Sequence, residues 1–433
     1  VTSHSLNEVD VTRGAGDISL TLEHLFRQEW GKMVATLTRI FGIEHLGLAE
    51  DVVQEALAKA LQVWPFNGVP DNPSAWIMRV ARNLALDAVR RRKTFQEKES
   101  EVAALIEQSH LGEEILASEG EIADDRLRLI FACCHPALSG EVQVALALKT
   151  LCGFGVAEIS RAFLTSEAAI AKRLTRARQT LREAGVQFEI PAGPELEPRL
   201  EAVRQTIYLL FNEGYKASSG DHLVREDICE EAIRLGELLA RHPAGDQPAT
   251  HALLALMCLN GSRLPARQDD SGNLLRLHEQ NRALWDRSLI ARGMIHLAKS
   301  AEGVEISEYH LQAAIASCHA MAVDYASTDW DRILALYDQL YAMNPSPVIA
   351  LNRAVALAHV RGPEAAVAEI RSLLKSQPLE SYHLLYASLG EFEAQAQNFE
   401  DAAVCFERAI ELSNTQVERS LLNRRLQECR LMT

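Results

Sequence analysis

The stretch Val156-Ala157-Glu158-Ile159-Ser160-Arg161-Ala162-Phe163, Leu164-Thr165-Ser166, Glu167-Ala168-Ala169-Ile170-Ala171-Lys172-Arg173-Leu174-Thr175-Arg176-Ala177-Arg178-Gln179-Thr180-Leu181-Arg182 decides how the first half of this chain reads. Its second part places Ile170, Leu174, Ala177 and Leu181 at helical spacing, so they form one apolar stripe. Lys172, Arg173, Arg176 and Arg178 spread over the remaining faces. Residues 156–163 make a short amphipathic helix, Leu164-Thr165-Ser166 makes a turn, and the Ser166 hydroxyl is placed to cap the helix that follows. The pattern is a helix-turn-helix whose second helix is basic, as DNA-reading helices are. A helical hairpin with a solvated basic face would show the same stripe.

Upstream, residues 74–93 form a second basic helix. Ile77, Val80, Ala81, Leu84 and Ala88 make its apolar side, and Arg79, Arg82, Asn83, Asp87 and Arg90 share the opposite face. Guanidinium and amide groups hydrogen-bond base edges, although cations at a helix C-terminus also suit its dipole. The loop before it, Trp64 to Pro73, holds Phe66 and Asn67, and Trp76 opens the helix. Aromatic rings beside cations suit unstacked bases; singly, each ring would more often be core. Before that loop, Ala49–Leu61 sets Val52 and Ala56 in helical register with an acid-amide face of Asp51, Gln54 and Glu55.

The net charge of −15 looks wrong for a partner of DNA until it is divided. Residues 94–125 hold 10 acids and 1 base, residues 126–190 hold 9 bases and 5 acids, and residues 191–433 hold 33 acids and 23 bases. A phosphate backbone senses local charge, within a Debye length of about 8 Å. The organisation that emerges is a helical unit over 20–93, an acidic linker over 94–123, a second helical unit over 124–190, a Pro/Gly break, and a helical region over 198–433.

That last region repeats. Ala354 aligns with Gly390, Ala366 with Ala402 and Ile370 with Phe406, each at an offset of 36. Asn398–Ile410 resembles the second helix of a tetratricopeptide repeat, and a helix over 329–343 ends at Asn344-Pro345, where that repeat closes. Eight scattered cysteines offer no C-x-x-C pair, which fits a reducing cytoplasm. Cys133-Cys134-His135 reads as small buried residues at a helix end. Phe211-Asn212-Glu213-Gly214-Tyr215 reads as a turn at a helix end. Acids without a basic cluster in the first twenty residues argue against a secretory signal. No phosphate-binding loop, dinucleotide fingerprint or metalloprotease motif is present, so neither an enzyme nor a bound cofactor is expected.

Taken in order, the three motifs resemble the extracytoplasmic-function sigma factors of bacterial RNA polymerase. The resemblance implies an all-α chain: a sigma region 2 bundle, a region 4 helix-turn-helix and a tetratricopeptide-like solenoid. It implies that Asp51, Val52, Gln54 and Glu55 dock on the β′ clamp helices of polymerase core, with the β flap as a further contact. Phe66, Asn67, Trp76, Arg79, Arg82, Asn83, Asp87 and Arg90 would take up the melted −10 element. Ala171, Lys172, Arg173, Thr175 and Arg176 would face the −35 duplex. Leu164 stands where the family often has Gly, and Ala171 where it often has a base-contacting cation. Asp124–Phe131, Cys133–Pro136, Leu210–Tyr215, Arg267, Asp269, Gln280, Trp285-Asp286 and Ala350–Ala354 match a subgroup with a long C-terminal extension, which would either restrain the sigma domains or be required by them. Two alternatives remain open here: a regulator that recruits polymerase without joining it, and a repeat scaffold that binds peptides.

Overall fold

The structure, a computed structural model, describes residues 29–93, 119–163, 165–215, 226–269, 275–376, 382–413 and 416–432. It is all-α, with no β-strand among the described residues. Helices are α1 (29–41), α2 (Leu46–Asn67), α3 (Pro73–Lys93), α4 (Glu119–Cys133), α5 (Gly140–Thr150), α6 (Val156–Ala162) and α7 (Glu167–Glu183). They continue as α8 (Leu196–Tyr215), α9 (Glu226–Arg241), α10 (Pro248–Gly261), α11 (Arg287–Ser300), α12 (Glu308–Met321) and α13 (Trp330–Met343). The last are α14 (Pro347–Arg361), α15 (Pro363–Ser376), α16 (His383–Gln395), α17 (Phe399–Leu412) and α18 (Gln416–Met432). No described helix is long and apolar enough to cross a membrane.

Two compact units form. One takes in the described residues up to Ser160 and then Thr165–Thr206; the other takes in residues 161–163 and the described residues from Ile207 onward. The division falls inside α8, later than the Pro/Gly break suggests. The first eleven residues of α8 belong to unit 1 because Arg199, Leu200 and Val203 are buried there, and Arg199 donates to the Phe131 carbonyl at 2.5 Å. The boundaries of the acidic linker lie largely outside the described residues.

In unit 2 each helix from α13 to α18 packs on the next. The offset of 36 takes shape here: Ala354, Ala366, Ile370, Ala402 and Phe406 are all buried. A β-carbon at Gly390 would lie 3.1 Å from the Phe406 ring, so the glycine lets two helices approach. Subgroup residues do local structural work. Arg267 donates to the Tyr215 carbonyl and lies 4.0 Å over its ring, closing the end of α8. The Phe211–Tyr215 motif is therefore the last turn of α8, with Gly214 still helical and buried, rather than the turn that ends it. Asp286 caps α11 by accepting from Ser288 and Leu289, and Arg353 ties α13 to α15 through Asp338 and Glu369.

Candidate nucleic-acid interface

Three surfaces of unit 1 carry the candidate residues. On α2, Asp51, Gln54 and Glu55 are exposed, and Glu55 pairs with Lys59 at 3.3 Å. Val52 points the other way and is buried with Val53, Ala56 and Leu57. The helix runs four residues further than the sequence indicates. Trp64 to Asn67 form its last turns, and Pro65 sits inside it. A proline so near the end removes one hydrogen bond only, and Gly68, at φ 79°, then stops the helix by donating to the Trp64 carbonyl.

α3 starts cleanly. The Asn72 side chain accepts from Ala75 at 3.0 Å, and Pro73 takes the first helical position. Ile77, Ala81 and Ala85 are buried, while Arg79, Asn83, Asp87 and Arg90 stand exposed along one line at helical spacing, with half-buried Arg82 beside them. The rings before it divide. Trp64 is buried and meets Trp76 edge-on at 5.5 Å, so this pair packs the junction. Phe66, by contrast, is 87% exposed, with exposed Asn67 next to it. An aromatic ring held in solvent beside a row of polar and cationic groups is suited to stacking on an unpaired base.

In the helix-turn-helix, the Ser166 hydroxyl accepts from the Ala169 N–H at 3.2 Å, as its position indicates. Leu164 and the side chains of Arg161, Ala162 and residues 91–93 lie outside the described residues. Ile170, Leu174, Ala177 and Leu181 are buried as one stripe. Ala171, Lys172, Thr175 and Arg176 are exposed together. The Thr175 hydroxyl donates back to the Ala171 carbonyl at 2.8 Å. Arg173 is half-buried and lies 3.4 Å from Glu141. A cavity of about 440 Å³ opens beside this helix, lined in part by Lys172, Arg173, Arg176 and Ser139, the last at the N-cap of α5. Cations around a helix N-terminus suit a phosphate.

The basic residues of α7 do not all serve that face. Arg178 turns to α2 and bonds the buried Glu50 carboxylate, and Arg182 donates to the Glu44 carbonyl at 3.0 Å. The sequence gives no sign of this, because the partners lie more than a hundred residues away. Cys133 and Cys134 are fully buried at the end of α4, as expected; burial pushes the Cys133 thiol well up and the Cys134 thiol up to about 12. No group of metal-ligating side chains clusters among the described residues.

Comparison with known proteins matches Sigma-70 region 2 to residues 26–95, Sigma-70 region 4 to residues 128–181, and a family of unknown function (DUF6596) to residues 199–301. An uncharacterized protein of Rhizobium meliloti (strain 1021) is 39% identical over 406 residues, covering 91% of this chain and 92% of its own length. The ECF RNA polymerase sigma factor SigK of Mycobacterium ulcerans (strain Agy99) is 26% identical over 156 residues, covering 34% of this chain and 80% of its own. No solved structure matches.

Proposed function

Since this chain belongs to the extracytoplasmic-function-like sigma-70 factors that carry a C-terminal extension, we propose that it is a non-catalytic, cytoplasmic subunit that directs RNA polymerase core to its promoters. The observation that carries the reading is the order of three outward faces in one unit: the acid-amide ridge of α2, the polar and cationic line of α3 behind Phe66, and the Lys172/Arg176 face of α7.

Each face has a role suited to its chemistry. Asp51, Gln54 and Glu55 offer carboxylates and an amide to a protein partner, the β′ clamp helices, with Val52 supporting the helix from inside. Phe66 and Asn67 with Arg79, Arg82, Asn83, Asp87 and Arg90 receive the opened −10 strand, where ring stacking and amide hydrogen bonds replace what melting removes, and Trp76, packed on Trp64, supports them from behind. Lys172, Arg173 and Arg176, with Ala171 and Thr175, meet the −35 duplex, cations on phosphate and on guanine edges. The β flap is a further core contact of region 4. A regulator that merely recruits polymerase needs neither the α2 ridge nor the α3 line.

Purified full-length chain added to polymerase core tests this by transcription from a cognate promoter. Asp51→Lys with Glu55→Lys should weaken core binding roughly tenfold, as like charges meet across an interface rim, and leave helicity unchanged. Undiminished affinity in the folded variant would sink the α2 assignment.

The extension is a required element in this reading. Its first helix supplies Arg199, Leu200 and Val203 to the core of unit 1. A chain ended after Tyr215 keeps all of α8 and so separates the two roles of the extension. Transcription should fall in that truncated protein; a gain would mean that the remaining helices restrain the sigma domains instead.

A further inference from the structure

Residues 275–281, between α10 and α11, form no helix, and their side chains meet helices that come much later in the chain. Arg276 donates to Glu391 of α16 at 3.1 Å. Glu279 lies 3.8 Å from Arg424 of α18. The His278 ring is 5.6 Å from that of Tyr325, whose hydroxyl is 2.9 Å from Nε2 of His359 at the end of α14. Arg425 of α18 donates to the second Glu391 oxygen at 2.9 Å, and α14 and α16 touch across α15. Every second helix of the stack therefore contributes to one face, and this short segment covers it.

The segment takes its shape from other residues. The Glu279 N–H donates to the Arg276 carbonyl at 2.9 Å, and the Glu279 carboxylate accepts from the Arg276 N–H and guanidinium at 2.7 and 2.9 Å. Buried Gln280 donates to the Leu275 carbonyl at 3.1 Å, and the Leu275 N–H donates to the Arg267 carbonyl at 2.9 Å. Arg282 fixes the far end, donating to the His319 and Ala322 carbonyls at 2.7 Å each. A preformed turn thus presents Arg276 and Glu279 to the stack.

The contacts across that face are of the kind that can be exchanged. Arg276, Glu279 and Glu391 each keep about a quarter of the side chain in water, and Arg424 nearly half. Ion pairs so open to solvent add little to stability. What they supply is selection. Glu391 accepts a guanidinium, Arg424 beside it takes a carboxylate, and the two must arrive in that order along the incoming chain. Against its partial burial, Arg276 and Arg424 hold the Glu279 carboxyl down to about 2, so the pair is charged at neutral pH.

We propose that the face shared by α14, α16 and α18 is a recognition surface for a turn of the form Arg-x-x-Glu. Arg276 and Glu279 fill it from within the same chain, and a partner protein presenting the same pair takes their place. The partner is defined by that chemistry: an exposed turn with a guanidinium three residues before a carboxylate.

The probe is a synthetic peptide of the sequence Leu275–Arg282 with a benzophenone on its amino terminus. It is photo-crosslinked to the full-length chain, and the attachment sites are mapped by mass spectrometry. A segment tethered in its own chain acts at an effective concentration on the order of 1 mM, so the peptide is used at about 0.1 mM, where an occupied face excludes it. Arg276→Ala with Glu279→Ala empties the face. That double variant should crosslink the peptide on α14, α16 or α18 several-fold more than the parent chain does. Adding Glu391→Gln should return labelling to the parent level, and a peptide with its Arg and Glu exchanged should label neither protein. Equal labelling of parent and double variant overturns the proposal, because the face would then not be filled from within. Labelling of the double variant that survives Glu391→Gln or the exchanged peptide overturns the recognition of the pair. A double variant that loses amide hydrogen-exchange protection through α14 to α18 overturns it too: the pair would then be a brace the stack needs, not a ligand it can exchange. Transcription is not the readout, so the result stands apart from the sigma reading.

Discussion

The polar bonds that tie residues 30–50 to residues 125–182 within unit 1 join positions 86 to 138 apart, as in Arg39 with Asp125 and Arg182 with Glu44, whereas from α13 to α18 each helix packs on the next along the chain. The first kind of structure must bring distant segments together before any bond rewards it. The second gains stability pair by pair. A body closed by a few long-range polar contacts can part along one surface without unfolding. A stack of hairpins has no such surface, and its weak points are the bulky residues that fill the space between neighbours.

The sharpest way to break this comparison is at Phe406. Its ring fills the space left by Gly390 and is fully buried. Phe406→Ala should cost about 3–5 kcal/mol and lower hydrogen-exchange protection in α16 to α18, leaving α1 to α7 unchanged. Loss of protection across unit 1 as well would mean that the two regions melt as one body.

Arg176 tests unit 1 from the opposite side. It is exposed, so Arg176→Ala should leave thermal stability within experimental scatter while weakening promoter binding by roughly ten- to a hundredfold, the value of about 1–3 kcal/mol for a base contact. Asn83→Ala should instead spare duplex binding and impair strand opening. Normal permanganate reactivity in an Asn83→Ala open complex would show the residue to be misassigned.

Acid should separate the regions more gently. Burial, with Arg263, Arg282 and His359 nearby, holds His319 down to about 3. Burial and His251 hold His296 down to about 4. Both rings are thus neutral in the fold, and the unfolded chain takes up their protons near 6.5. Their contribution is fully present above about pH 6.5 and is lost as pH falls toward 4. Unit 2 should therefore lose stability over that window before unit 1 does, seen as amide hydrogen-exchange protection measured helix by helix. Equal loss in both units would assign the acid sensitivity elsewhere.

How much of this could be read from the residues follows the same division. The stripe Ile170, Leu174, Ala177, Leu181 and the repeat at Ala354 and Gly390 are local or periodic, and both stand buried as read. The lines of exposed residues on α2, α3 and α7 were visible as faces for the same reason. Glu50 was not. It is an acid beside Asp51 in an acidic run, and nothing nearby distinguishes the inward carboxylate from the outward one. What turns it inward is Thr150 and Arg178, a hundred or more positions on. Arg178 was legible as basic but not as spoken for. The end of α2 is not legible either, because Pro65 suggests a break that a last helical turn tolerates. The role of Arg267 in closing α8 likewise depends on a partner, Tyr215, that only the fold supplies.

Helix α8 bears on how such a chain can be inherited. Its residues up to Thr206 belong to one body and the remainder to the other. A gene rearrangement that stopped at Pro191 would deliver region 4 with Arg199, Leu200 and Val203 missing from its interior. A rearrangement that moved the extension alone would carry off part of its neighbour's core. The two halves therefore cannot be shuffled as separate cassettes at the place where the sequence looks most divisible, and a lineage that acquired this extension would have to redesign region 4 before it could discard it.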